Sequence, residues 1–188
     1  MNIPNILTIA RLCMVPLFVF CFVKGSDGTL EGGVYYAAAL FVLAALTDIL
    51  DGYIARKYNQ ITDFGKLADP LADKMMQIAA IACLAVYDRI DIWIFLVFLI
   101  KEFMMICGAS RLLKRFKFVV YSKRSGKIAT VILFICIVCI MIFDEITQKT
   151  ASTLMCICIF FTLVALFDYL KMYAKVKENR LQKKESKE

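Results

Sequence analysis

Histidine is absent from this 188-residue chain. Its absence excludes His-ligated zinc, a His general base and the Ser-His-Asp triad. Any acid, base or metal ligand has to come from Asp, Glu, Cys, Lys or Tyr. Gly (8) and Pro (3) are too sparse for a collagen-like chain. Charged residues make up only 21% of the chain against 61% hydrophobic, and the mean hydropathy is +0.73. That excludes disorder. It also argues against a soluble domain, because a chain this short has no core large enough to bury so much apolar surface. Acidic residues are the scarcer sign, 16 against 23 Lys and Arg, for a net charge of +7 and a pI near 9.0. A basic, very apolar chain points to a membrane before it points to nucleic acid.

The eight cysteines all lie in apolar segments. Cys136 and Cys139 form a C-x-x-C, but Ile and Val surround it and no second pair or βαβ pattern accompanies it. They read as small apolar residues facing lipid or neighbouring helices, and no disulfide is expected.

Apolar runs recur six times, at about 8–24, 33–57, 66–87, 91–113, 126–143 and 151–174. Each is near the length of about 20 residues that a bilayer requires. The expected fold is all-α: a polytopic membrane protein of six transmembrane helices, preceded by a short interfacial helix that turns into the first span. Arg11 inside the first run, with no basic segment before it and no small-x-small site after it, argues against a signal peptide. Pro4 suits a first helical turn. Residues 1–175 are expected to form the membrane domain and 176–188 a charged cytoplasmic tail.

The basic residues set the orientation. Seventeen Lys and Arg cluster around the second loop, the fourth loop and the C-terminal end, against three (Lys24, Arg89 and Lys149) on the other side. Both termini and the second and fourth loops are therefore expected in the cytoplasm.

Chemistry concentrates in one stretch, Asp48-Ile-Leu-Asp51-Gly52-Tyr-Ile-Ala55-Arg56, then eight residues, then Gly65-Lys-Leu-Ala-Asp69-Pro-Leu-Ala-Asp73. Spacings of three and four put each Asp pair on one helix face. The connecting loop is short, so the two helices are antiparallel neighbours and the pairs can face each other. Four carboxylates at membrane depth cannot all stay charged uncompensated. Either some are protonated, or hard divalent cations sit between them. An all-oxygen donor set suits Mg²⁺, Mn²⁺ or Ca²⁺, and a metal pair is the usual clamp for phosphoryl transfer. Gly52 and Ala55 clear that face, for close helix packing or for a bulky anion. Arg56 is placed to pair with such an anion.

The complete pattern D-x2-D-G-x2-A-R-x8-G-x3-D-x3-D resembles the signature of the CDP-alcohol phosphatidyltransferases, integral membrane enzymes of phospholipid synthesis. The opening Asn2-Ile-Pro-Asn-Ile-Leu-Thr-x-x-Arg11, the run Leu67–Lys74 and Gly126-Lys-Ile-x-Thr130 look most like the bacterial phosphatidylglycerophosphate synthases of that family. The resemblance implies six transmembrane helices, a homodimer in the bacterial plasma membrane and two divalent cations, Mg²⁺ or Mn²⁺, per active site. It implies transfer of the phosphatidyl group from CDP-diacylglycerol to an alcohol, with release of CMP. By position, Asp48, Asp51, Asp69 and Asp73 would bind metal, and Asp73 would also be the general base. Gly52, Ala55, Arg56 and Gly65 would form the CDP site.

The acceptor stays open between glycerol 3-phosphate and, as in cardiolipin synthases, phosphatidylglycerol. Where phosphatidylglycerophosphate synthases usually carry Arg-Glu and then Gly-Leu-Arg, this chain has Lys101-Glu102 and Gly108-Ala-Ser-Arg111. Arg111 and Lys127, just within helix ends, are the candidates for an acceptor phosphate. Lys101 and Glu102 lie deep in the fourth span and must face the bundle interior or water. Asn5, Thr8 and Arg11 border the site without an assigned role. A cation-transit protein would need polar groups through the full membrane depth, but the acids cluster at one end and the outer halves of the helices are apolar. A structural subunit that had lost catalysis would be expected to lack a motif position, and none is missing.

Overall fold

The computed structural model describes residues 3–57, 63–116, 124–164 and 167. Among the described residues there are six helices and no strand: α1 (Ile3–Ser26), α2 (Gly33–Lys57), α3 (Asp63–Val86), α4 (Ile92–Phe116), α5 (Arg124–Ile142) and α6 (Gln148–Val164). Each expected span overlaps one helix. Ile6–Ser26 and Gly33–Leu50 are long and apolar enough to cross a bilayer, while Lys74–Val86, Ile128–Ile142 and Gln148–Val164 are apolar over shorter lengths. Large side chains point outward along the bundle, among them Phe20, Ile49, Ile100, Phe103 and Phe160. So much exposed apolar surface fits lipid rather than water as the surrounding medium.

One expectation needs correcting. Among the described residues no separate interfacial helix precedes the first span: α1 runs unbroken from Ile3 to Ser26, with Pro16 inside it. No glycine interrupts the chain between Pro4 and Arg11, and Arg11 is itself buried in the bundle, paired with Asp48 of α2.

Helices in lipid gain little from the hydrophobic effect against each other, so close packing of small residues matters more. The α1–α2 hairpin follows that rule. A Cβ on Gly33 would sit 2.6 Å from Gly25 Cα and 2.7 Å from the Cys21 carbonyl oxygen, so the hairpin can close this tightly only with glycine there. Ala37, Ala38 and Ala44 are buried below it. The turn itself uses Gly28 and Gly32 at φ +73° and +70°, a region that L side chains avoid. From that turn the two helices descend in step, through Phe18 against Phe41 (ring centroids 6.0 Å apart) to Arg11 against Asp48. Phe41 also stacks on Phe134 of α5 at 4.8 Å. Helix α3 packs on α1, α2, α4 and α5 and is the centre of the bundle.

At the end of the bundle away from Asp48, the loops hold one another. Tyr87 donates to Asp27 Oδ1 (2.8 Å), tying the α3–α4 loop to the α1–α2 loop. That hydrogen bond and the nearby carboxylate charge raise the Tyr87 pKa above its ordinary value. Arg89 reaches the α5–α6 loop, donating to Asp144 Oδ1 at 2.7 Å and to the carbonyls of Ile140 (2.9 Å) and Phe143 (3.2 Å). The Asp91 N–H donates to Ser152 Oγ at 3.0 Å, and Gln148 Nε2 donates to Asp91 Oδ1 at 3.3 Å, which seats the start of α6. Farther along, Cys136 and Cys158 are free thiols with sulfurs 3.4 Å apart, packing α5 on α6.

Candidate active site at one end of the bundle

The C-terminal half of α2 and the N-terminal half of α3 carry the aspartate motif, and these two helices pack together. Asp48 is the motif carboxylate whose side chain is described. It is 42% exposed, and its Oδ1 accepts from Arg11 Nη1 at 2.8 Å. Arg11 is 1% exposed and Thr8, one turn earlier in α1, is fully buried. Just above, Arg11, Phe41, Ala44, Ala45, Met76, Gln77 and Phe134 line a cleft between α1, α2, α3 and α5. Asp48 follows Ala44 by one turn of α2, and Asp73 precedes Gln77 by one turn of α3. The helix faces that bound the cleft therefore continue into the motif.

Asp51, Gly52, Ala55 and Arg56 belong to α2, and Gly65, Asp69 and Asp73 to α3. Their side-chain positions lie outside the described residues, as do those of Arg111 in α4 and Lys127 in α5. The fit of the site to a divalent cation is therefore tested on Asp48 alone. It offers a half-exposed carboxylate, with only Oδ1 engaged among the described residues. That is the hard, anionic oxygen donor that Mg²⁺ or Mn²⁺ takes, so Asp48 fits.

A second polar group lies beside the first, between α3 and α4. Lys101 and Glu102 face the interior, as their depth in the chain requires, at 4% and 1% exposure. Glu102 pairs with Lys101 on its own helix and with Lys74 of α3, whose Nζ is 3.2 Å from each carboxylate oxygen. Lys101 Nζ also sits 4.7 Å above the Phe98 ring. Lys74 reaches Gln77 Oε1 at 3.5 Å, and Gln77 lines the cleft.

Local sequence assigned no role to Arg11 or Lys74. Their partners are 37 and 28 residues away, so the pairings arise only on folding. The available signal was a charge inside an apolar run, which must find an interior partner.

The profile of the CDP-alcohol phosphatidyltransferase family matches residues 1–170. The CDP-diacylglycerol–glycerol-3-phosphate 3-phosphatidyltransferase of Bacillus subtilis is 34% identical over 180 residues, covering 89% of this chain and 93% of its own. The protein of the same description in Rickettsia felis is 40% identical over 129 residues, covering 69% and 68%. That of Haemophilus influenzae is 40% identical over 93 residues, about half of either chain at 50% and 48%.

Proposed function

This chain belongs to the CDP-alcohol phosphatidyltransferase family, and on that premise we propose that it transfers the phosphatidyl group of CDP-diacylglycerol to glycerol 3-phosphate, releasing CMP and forming phosphatidylglycerophosphate. The observation that carries this reading is the complete eight-position motif from Asp48 to Asp73, lying within the matched residues and on two helices that pack together. The acceptor comes from the relatives, whose descriptions all specify glycerol 3-phosphate.

Members of the family generally use divalent metals. Asp48, Asp51, Asp69 and Asp73 are the residues proposed to hold two of them, Mg²⁺ or Mn²⁺. When bound, such cations polarise the pyrophosphate and stabilise the charge that develops on the departing CMP. The rest falls to side chains. An alcohol is a poor nucleophile at neutral pH, so Asp73 takes the hydroxyl proton as the oxygen attacks the phosphatidyl phosphorus. The bond from that phosphorus to the CMP oxygen breaks. Gly52, Ala55, Arg56 and Gly65 form the CDP site, with the Arg56 guanidinium on a phosphate. Arg111 and Lys127 hold the acceptor phosphate.

The donor's acyl chains stay in lipid while its head group enters from the cytoplasm. This reading requires six crossings with both termini cytoplasmic, which the seventeen-to-three bias of basic residues supports. Residues 1–175 form the membrane domain, 176–188 a cytoplasmic tail, and two copies form a homodimer.

The test is CMP release by the detergent-purified protein with CDP-diacylglycerol and Mg²⁺, offered glycerol 3-phosphate and phosphatidylglycerol in separate reactions. Release with glycerol 3-phosphate alone is expected. Release with phosphatidylglycerol alone would make the protein a cardiolipin synthase and return Arg111 and Lys127 to a topological role.

A further inference from the structure

Glu102 carries one negative charge and receives two ammonium groups. Lys101, on the same helix and more deeply buried, already neutralises it. Lys74 is the surplus cation, with a side chain only 18% exposed and no second carboxylate partner among the described residues. Burying ions is costly, and a buried ion cluster is weak evidence for stability. An apolar side chain of similar length at position 74 would leave a charge-neutral Lys101–Glu102 pair but would take away the ammonium that stands 3.2 Å from the buried Glu102 Oε2. Lys74 is therefore surplus to charge balance, and what it supplies is a tie between α3 and the Glu102 carboxylate of α4. It follows Asp73 directly in α3, its Nζ spans from Glu102 on α4 to Gln77 on the cleft wall, and α3 also carries Asp69.

We propose that Lys74 is a positioning residue: tied to the Glu102 carboxylate, it fixes the rotation of the α3 turn that bears Asp69 and Asp73 against the face of α2 that bears Asp48. This inference rests on the reading of those aspartates given above. Rotation matters because neighbouring residues on a helix point about 100° apart, so a small twist of this turn moves both carboxylates together. Misplacing a reacting group by about 1 Å costs on the order of 100-fold in rate.

The experiment compares Lys74→Met, Lys74→Arg and Asp73→Asn with the wild-type full chain in detergent, measuring kcat, KM for each substrate and Tm in metal-free buffer. Lys74→Met is expected to fold with a Tm somewhat below wild type, because Glu102 Oε2 loses its ammonium partner, while its kcat, measured well below that Tm, falls roughly 10- to 100-fold with both KM values unchanged. Lys74→Arg, which keeps the tie to Glu102, should recover much of the loss. A failure of Lys74→Met to fold would make the residue a structural tie only, and a Lys74→Arg that regains the Tm without regaining kcat would detach the rate from that tie; either overturns the proposal. Unchanged kcat would overturn it too. A raised KM for one substrate with kcat intact would make Lys74 a substrate contact instead. Asp73→Asn separates the two levels. If it is inactive while Lys74→Met is normal, only this inference fails. If it turns over normally, the reading of the motif fails first.

Discussion

Arg11 Nη1 stands 2.8 Å from Asp48 Oδ1, joining a guanidinium that is 1% exposed to a carboxylate that is 42% exposed. The asymmetry sets the roles. Arg11 is the fixed member, packed inside the bundle, and Asp48 is the accessible one that it orients. A lysine at position 11 keeps the charge and loses the planar fork that aims it. Groups that orient a metal ligand are typically worth 10- to 100-fold in metal affinity. Arg11→Lys is therefore expected to fold normally and to raise the Mg²⁺ concentration for half-maximal CMP release by about 10-fold or more. An Mg²⁺ titration identical to wild type would remove Arg11 from the site.

Asp51→Asn tests the metal reading directly. The carboxamide keeps the size and one oxygen but loses the anionic charge that a hard cation prefers. Mn²⁺ binding to the purified protein, read by the loss of the free-ion resonance signal, should weaken, and the Mg²⁺ requirement for turnover should rise with it. If neither moves, four aspartates do not hold two cations here, and protonation is the better answer to their crowding.

The aspartate motif was legible in the sequence because helix periodicity is local. Positions 48 and 51, or 69 and 73, share a face whatever surrounds them. The positions of the helices were legible for a similar reason, since hydropathy needs no knowledge of partners. The short interfacial helix expected before the first span is instead the first part of α1, whose Arg11 pairs with Asp48, 37 residues away, a contact that no local pattern encodes. The charges at Lys74, Lys101 and Glu102 were visible, and the interior placement of the last two followed from their depth. Their grouping around a single carboxylate depends on the α3–α4 packing, which no local pattern encodes.

The loops at the opposite end offer a test of what holds the bundle closed. Arg89 pairs with Asp144, but Asp144 is 83% exposed, and an ion pair in water contributes roughly 0–1 kcal/mol. Arg89 Nη2 also caps the carbonyls of Ile140 and Phe143 at the end of α5. Hydrogen bonds from a charged donor contribute about 1.5–3 kcal/mol. Asp144→Asn should therefore leave thermal stability in detergent almost unchanged, while Arg89→Met lowers it clearly. Equal losses from the two substitutions would mean that the ion pair, not the helix cap, joins α3 to α5.

Arg111→Ala addresses the acceptor. A guanidinium on a phosphate forms paired, charge-assisted hydrogen bonds, stronger than neutral ones. If Arg111 holds glycerol 3-phosphate through its phosphate, which takes no part in the transfer, the contact is made equally in the ground state and the transition state. Its loss should then raise the acceptor KM by about 10-fold or more and leave kcat near wild type, the pattern of lost uniform binding. The KM for CDP-diacylglycerol is an internal control and should stay put. A basic residue that serves only to orient the chain in the membrane would move neither constant, because in the proposed orientation seventeen such charges share that role and one is dispensable. An unchanged acceptor KM therefore assigns Arg111 to topology and transfers the search for the phosphate ligand to Lys127.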